Sequence, residues 1–124
     1  MTEGVLAVVK DLFFVARIRE TARLTGNPIE FCRSLDDLKA RLESGTAPGL
    51  VILDLTAQGW DYAALFALLE ARVPRPPILA FTTHALAKIT QPWHPRCDRV
   101  VTKETFTQEL PDLLVHGLAA RRGT

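Results

Sequence analysis

An α/β protein, with parallel strands joined by helices that cover both faces of one sheet, is what the sequence predicts. The main observation is a rhythm: a short apolar run followed by a stretch of helical periodicity, repeated five times in 124 residues. The third run, Leu50-Val51-Ile52-Leu53, is apolar without alternation, as a strand covered on both faces must be. The length suits one domain spanning residues 1–124, with too little chain for a second core or an output domain.

The first strand is expected at Val5 to Lys10. A helix follows from about Leu12 to Leu24, with Phe14, Ile18 and Ala22 one turn apart, and Gly26-Asn27-Pro28 ends it. Ile29 to Cys32 is shorter and weaker, which suits an edge strand. Ser34, with Asp37 three residues on, is a candidate N-cap for a helix bearing Leu35, Leu38 and Leu42, closed by Gly45 and Pro48. The third strand ends abruptly at Asp54, and a loop with Gly59 leads to a helix from about Asp61 to Arg72.

Pro74-Arg75-Pro76 breaks the chain before a fourth buried strand, Pro77 to Phe81, which ends at Thr82-Thr83. A short helix from His84 to about Thr90 is expected to be cut off by Pro92 and Pro95. Asp98 to Thr102 supplies the fifth strand. Phe106, Leu110, Leu113, Leu114 and Leu118 form the stripe of a last helix, with Pro111 expected near its first turn. Arg121-Arg122-Gly123-Thr124 reads as a polar tail.

Composition narrows the function. Fifteen Lys and Arg against fourteen Asp and Glu give a formal charge of +1, so no overall electrostatic reason exists to expect nucleic acid. Met1-Thr2-Glu3-Gly4 lacks an export signal, and no apolar run approaches membrane-spanning length; a soluble, cytoplasmic protein is expected. Cys32 and Cys97 have no nearby Cys or His companions and read as buried thiols. His84, His94 and His116 are too scattered to suggest a metal site. Trp60 and Trp93 suit either partner anchors or partly buried packing.

In an open parallel sheet, ligands bind beyond the carboxyl ends of the strands. The polar residues there are Lys10 and Asp11, then Asp54, then Thr82 and Thr83, then Lys103. An aspartate can attack phosphorus if a divalent cation screens its charge, a lysine holds the phosphoryl group and a hydroxyl accepts it. Asp54, Asp11, Lys103 and Thr82 can fill these roles. Each has a plainer alternative: Asp54 a loop carboxylate, Lys103 or Thr82 a neighbour of a helix cap.

Taken together, these segments resemble the CheY-like response-regulator receiver family over nearly the whole chain. Val8-Val9-Lys10-Asp11 is similar to the family's first strand with its acidic pair, and Leu50-Val51-Ile52-Leu53-Asp54-Leu55 to the strand bearing the phospho-accepting aspartate. Gly59 and Asp61 match the following loop. Ile78-Leu79-Ala80-Phe81-Thr82-Thr83-His84-Ala85 is similar to the segment with the switch hydroxyl, and Val100-Val101-Thr102-Lys103 to that with the lysine. The resemblance implies a flavodoxin-like three-layer sandwich with strand order 2-1-3-4-5. It further implies Asp54 as phospho-acceptor, Asp11, Asp54 and the Thr56 carbonyl as ligands of Mg2+, Thr82 as the hydroxyl sensing the phosphoryl group, and Lys103 as its ion-pair partner.

The chain departs from that pattern at four places. Lys10 replaces the first acid; its ammonium either reaches Asp54 or Asp11 and weakens Mg2+ binding, or is carried outward on its stem. Gln58 and Glu104 stand where proline is usual, so a cis bond after Lys103 is not expected. Val100 occupies the place of an aromatic rotamer switch and is too small and stiff to swing.

Two functions remain. One is a stand-alone receiver taking a phosphoryl group from a histidine kinase or phosphotransfer protein and then binding a separate downstream protein, with a homodimer also open. The other is a pseudo-receiver, a protein-interaction module independent of phosphorylation. Any catalysis is limited to autocatalytic phosphorylation and dephosphorylation of the aspartate. A nucleotide-binding enzyme is disfavoured, since no Gly-rich phosphate loop follows the first strand.

Overall fold

The computed structural model describes residues 3–44 and 47–119. Gly45, the export-signal residues Met1 and Thr2, and the tail Arg121-Arg122-Gly123-Thr124 lie outside the described residues. The elements alternate as β1 (Glu3–Val8), α1 (Leu12–Thr25), β2 (Ile29–Cys32), α2 (Leu35–Glu43), β3 (Pro48–Asp54), α3 (Tyr62–Glu70), β4 (Ile78–Thr82), α4 (Ala87–Thr90), β5 (Arg99–Thr102) and α5 (Lys103–His116). All strand pairings are parallel and the order is β2-β1-β3-β4-β5, as expected.

Period-two alternation divides the interior into two cores. Val5, Ala7, Leu50, Ile52, Leu79 and Phe81 face one side, where they meet Phe14, Val15 and Ile18 of α1 and Phe106, Leu110 and Leu113 of α5. Leu6, Val8, Val51, Leu53, Ile78 and Ala80 face the other, against Leu38 and Leu42 of α2 and Leu65, Phe66 and Leu69 of α3. Trp60 is buried in the second core and Trp93 stacks on Phe66 at 5.6 Å, so both tryptophans pack inward. Cys32 is buried and Cys97 half-buried, and both are free thiols. Burial, followed in influence by a nearby carboxylate, pushes each thiol up to about 12.

Local chemistry sets the ends. Asp11 caps α1 by accepting from Phe13 N–H at 2.9 Å and Phe14 N–H at 3.3 Å, and Gly26 closes that helix at φ 70°. Ser34 caps α2 as expected, accepting from Asp37 N–H. Pro48 begins β3 rather than closing α2: as a strand's first residue it needs no ladder donor.

Three further expectations are corrected. β1 ends at Val8, leaving Val9, Lys10 and Asp11 as the connection to α1. Pro92 and Pro95 do not end the helical path. Six residues, Gln91–Arg96, continue it as a 3₁₀ segment, with Pro92 at its start where a missing N–H costs nothing. Pro111 lies inside α5, because that helix starts at Lys103 with Thr102 as its cap; the expected first-turn position was too late.

Asp98 fastens β5 to the start of β4. Its Oδ2 accepts from Ile78 N–H at 2.7 Å and its Oδ1 from Arg75 at 2.8 Å. Burial alone would raise this carboxyl, but the Arg75 and Ile78 bonds outweigh it and hold it below 3.8. The stabilisation is therefore complete above the ordinary carboxylate range and lost as pH falls through the lower folded value. Asp98→Asn is expected to cost about 1–2 kcal/mol at neutral pH. The gap from the parent should close in acid, as read from urea unfolding at a series of pH values.

Candidate functional site

The strand order reverses between β1 and β3, and their carboxyl ends open a cleft of about 340 Å³ lined by Lys10, Asp11, Asp54, Thr56, Ala57, Gln58 and Lys103. Asp11, Asp54, Thr56 and Lys103, distant in sequence, are thus brought together on one rim.

Asp54 is the last residue of β3 and only 3% exposed. Its Oδ1 accepts from the Thr56 amide at 2.7 Å and the Thr56 hydroxyl at 2.6 Å. Its Oδ2 has no hydrogen-bond partner among the described residues, so one carboxylate oxygen is fixed and the other is available for chemistry. The loop beyond is held by Tyr62, whose hydroxyl proton is shared between the Asp54 carbonyl at 2.8 Å and the Ala57 carbonyl at 2.9 Å. Burial first, and then the Asp54 charge, raise the Tyr62 phenol, so it stays a donor.

The two lysines of the cleft stand over aromatic rings. Lys10 Nζ lies 4.6 Å from the Trp60 ring centroid, and Lys103 Nζ 4.9 Å from that of Phe14. Among the described residues neither ammonium pairs with a carboxylate. The expectation that Lys10 reaches Asp54 or Asp11 is corrected: the Trp60 face draws it aside. Gly59, at φ 88°, leaves the room, since a Cβ there would come within 3.3 Å of Lys10 Nζ. The expected Lys103 ion pair is likewise unmade. The peptide after Lys103 is trans, and α5 begins at once.

Thr82 is the one expected site residue that the cleft does not include. It shares the rim at the end of β4, but its Oγ1 lies 2.9 Å from Thr90 Oγ1, and Thr90 Oγ1 is 2.8 Å from His94 Nε2. Thr83 instead accepts from Leu86 N–H. Val100 is half-buried against the second core.

Tyr62, Thr90 and His94 were not recognised from sequence. Tyr62 sits one residue after the Asp61 cap, where its phenol had no visible partner. Thr90 and His94 carry an (i, i+4) spacing that signals a shared helical face but not what it meets.

No protein-family profile matches the chain, and no curated protein resembles it in sequence. Solved structures do match. A response regulator signal receiver domain from Bermanella marisrubri is 22% identical, covering 93% of this chain and 99% of that one, with a TM-score of 0.73. The receiver domain of NtrX from Brucella abortus is 20% identical over 86% of this chain and 90% of that one, with a TM-score of 0.72. The phosphorylated cyanobacterial phytochrome response regulator RcpA is 15% identical over 98% of each chain, again at 0.72. The chain therefore has the CheY-like receiver fold, of the flavodoxin-like α/β kind. Among the described residues no helix is long and apolar enough to cross a membrane.

The shared Tyr62 proton generates one prediction. Tyr62→Phe leaves two part-buried carbonyls without their donor and should cost about 1–2 kcal/mol. Urea unfolding measures the loss, and hydrogen exchange should quicken at Thr56 and Ala57 more than in β1.

Proposed function

We propose that this chain is a receiver of two-component signalling that accepts a phosphoryl group on Asp54 and passes the signal on by protein contact. The observation carrying this reading is the free Oδ2 of a rigidly held Asp54 in a cleft shared with Asp11 and Lys103. Oδ2 attacks phosphorus, an O–P bond forms, and the bond to the donor breaks: P–N for a phosphohistidine, P–O for acetyl phosphate with acetate leaving. Lys103 is placed to neutralise the incoming phosphoryl oxygens. A histidine kinase or phosphotransfer protein would be the donor and a separate protein the receiver of the signal, in a cytoplasmic setting.

The donor set suits Mg2+, which needs only one or two carboxylates and keeps several waters. Among the described residues no group of three or more His, Cys, Asp or Glu is present, so a metal demanding more protein ligands does not fit. Asp11, Asp54 and the Thr56 carbonyl would hold the ion. When bound, it would screen the Asp54 charge from the arriving phosphate. Two ammonium groups line the same cleft as the two carboxylates, so the attraction for a divalent cation is weak.

A second reading, the pseudo-receiver, draws on Val100 and on Thr82 being bonded away from the cleft. Under it, Asp54→Ala would leave partner binding and cellular function intact.

Incubation with acetyl phosphate and Mg2+ should add one phosphoryl group by intact mass, and Asp54→Ala should abolish it. Absence of an adduct, under conditions that label an ordinary receiver, overturns the reading. Lys10→Asp should tighten Mg2+ binding on the order of tenfold, since it removes a positive charge beside the site and adds a negative one. Trp60 fluorescence reports the titration; unchanged affinity would show that Lys10 exerts no electrostatic brake.

A further inference from the structure

Thr82, Thr90 and His94 form a hydrogen-bonded chain leading from the strand-end rim to the 3₁₀ segment. Thr90 is its node. Its Oγ1 lies 2.9 Å from Thr82 Oγ1, 2.8 Å from His94 Nε2 and 3.3 Å from the Ala87 carbonyl oxygen. A hydroxyl has one proton to give and two lone pairs to receive with. The Ala87 carbonyl only accepts, so Thr90 gives its proton there. The other two contacts are then satisfied in one way: Thr82 donates to Thr90, and His94 presents Nε2–H.

This assignment has a consequence at the rim. Thr82 stands one residue beyond Phe81, the register partner of Asp54 on the neighbouring strand. Its single hydroxyl proton is spent on Thr90, and a threonine χ1 is too stiff for the same hydroxyl to serve the cleft as well. Thr82 is 5% exposed and Thr90 3%, so water does not replace a lost partner cheaply. A threonine bonding only its own helix would need Ala87 alone. The two partners from outside α4 are what make Thr90 a connection.

We propose that Thr90 and His94 are positioning residues that latch the Thr82 hydroxyl away from the Asp54 cleft, so that Thr82 serves the cleft only when this chain of bonds opens. The effect on Asp54 rests on the phosphoryl-acceptor reading above; the latch itself does not. With the latch open, Thr82 can donate to a phosphoryl oxygen, and the Ala87–Arg96 stretch loses its polar tie to β4. Val100 cannot perform such coupling, and this chain of three side chains provides a route that does not need it.

The test measures acetyl phosphate labelling rates, with Mg2+, by intact mass. Thr90→Val removes the node at nearly constant volume and should raise the rate about fivefold, the scale of one neutral hydrogen bond. Thr90→Ser, which keeps the hydroxyl, should behave as the parent, and His94→Gln, which keeps an N–H donor, should lie nearer the parent than His94→Phe. In a Thr82→Val background, Thr90→Val should have no further effect, because its action passes through the Thr82 hydroxyl. An unchanged rate in Thr90→Val, or an equal effect with and without that hydroxyl, overturns the proposal. If the parent protein takes no label, the phosphoryl reading fails and proton NMR decides the latch. A slowly exchanging Thr82 hydroxyl proton in the parent, lost in Thr90→Val, supports it; no such proton in the parent overturns it.

Discussion

Apolar cover on both faces of the sheet governs where this protein can keep its chemistry. Along β1, β3 and β4 successive side chains enter one core or the other, and buried polar side chains are tolerated only where a strand runs out. Asp54 and Thr82 are the last residues of β3 and β4. Each is buried, and each finds partners that no strand interior could offer: Thr56 for one, Thr90 for the other. A polar substitution two residues earlier in β3, at Ile52, would meet only the apolar neighbours of its core.

The same division explains how two cations are kept beside Asp54 without collapsing onto it. Lys103 lies over Phe14, part of a cluster in which Phe14, Phe81 and Phe106 pack with centroids 4.8 to 5.6 Å apart. Lys10 lies over Trp60, which belongs to the opposite core. Each ring face offers a modest attraction, roughly 0.5–1 kcal/mol at a water-accessible position. That is comparable with a solvent-exposed ion pair, so parking an ammonium over a ring costs little and leaves the Asp54 Oδ2 open. An arriving dianion outbids a ring for either lysine.

How much of this was legible in the sequence follows from the range of each interaction. Strand and helix identities were readable because Leu50 to Leu53 and the Phe14, Ile18, Ala22 stripe are local patterns. Asp11, Asp54 and Lys103 were readable because each directly follows an apolar run, which places it on the rim whatever the details. The direction in which a rim side chain turns was not readable. Lys10 was placed near Asp54 by charge alone, whereas its position depends on Trp60, fifty residues on, and on a missing Cβ at Gly59. Thr82 was assigned to the cleft by position, whereas its hydroxyl answers to Thr90 and His94. Pro111 misled for a simpler reason: the start of α5 was inferred from its apolar stripe, while Thr102 caps the helix a full turn earlier.

The unequal anchoring of the helices decides which of them can respond to events at Asp54. α1 buries Phe14, Val15, Ile18 and Ala22, α3 buries Leu65, Phe66 and Leu69, and α5 buries Phe106, Leu110, Leu113 and Leu114. Shifting any of these elements disturbs a packed interior. α4 buries Thr90 alone and the following 3₁₀ segment buries no residue fully, with Trp93 its partial anchor against Phe66. An element held by hydrogen bonds and one ring contact sits at the low end of local stability, where small changes in polar contact alter populations. Because the cores transmit displacement poorly into separate elements but resist it collectively, a change at the rim moves the least anchored neighbour first. That neighbour is the Ala87–Arg96 stretch, whose buried polar tie to the strands runs through the hydroxyl of Thr82.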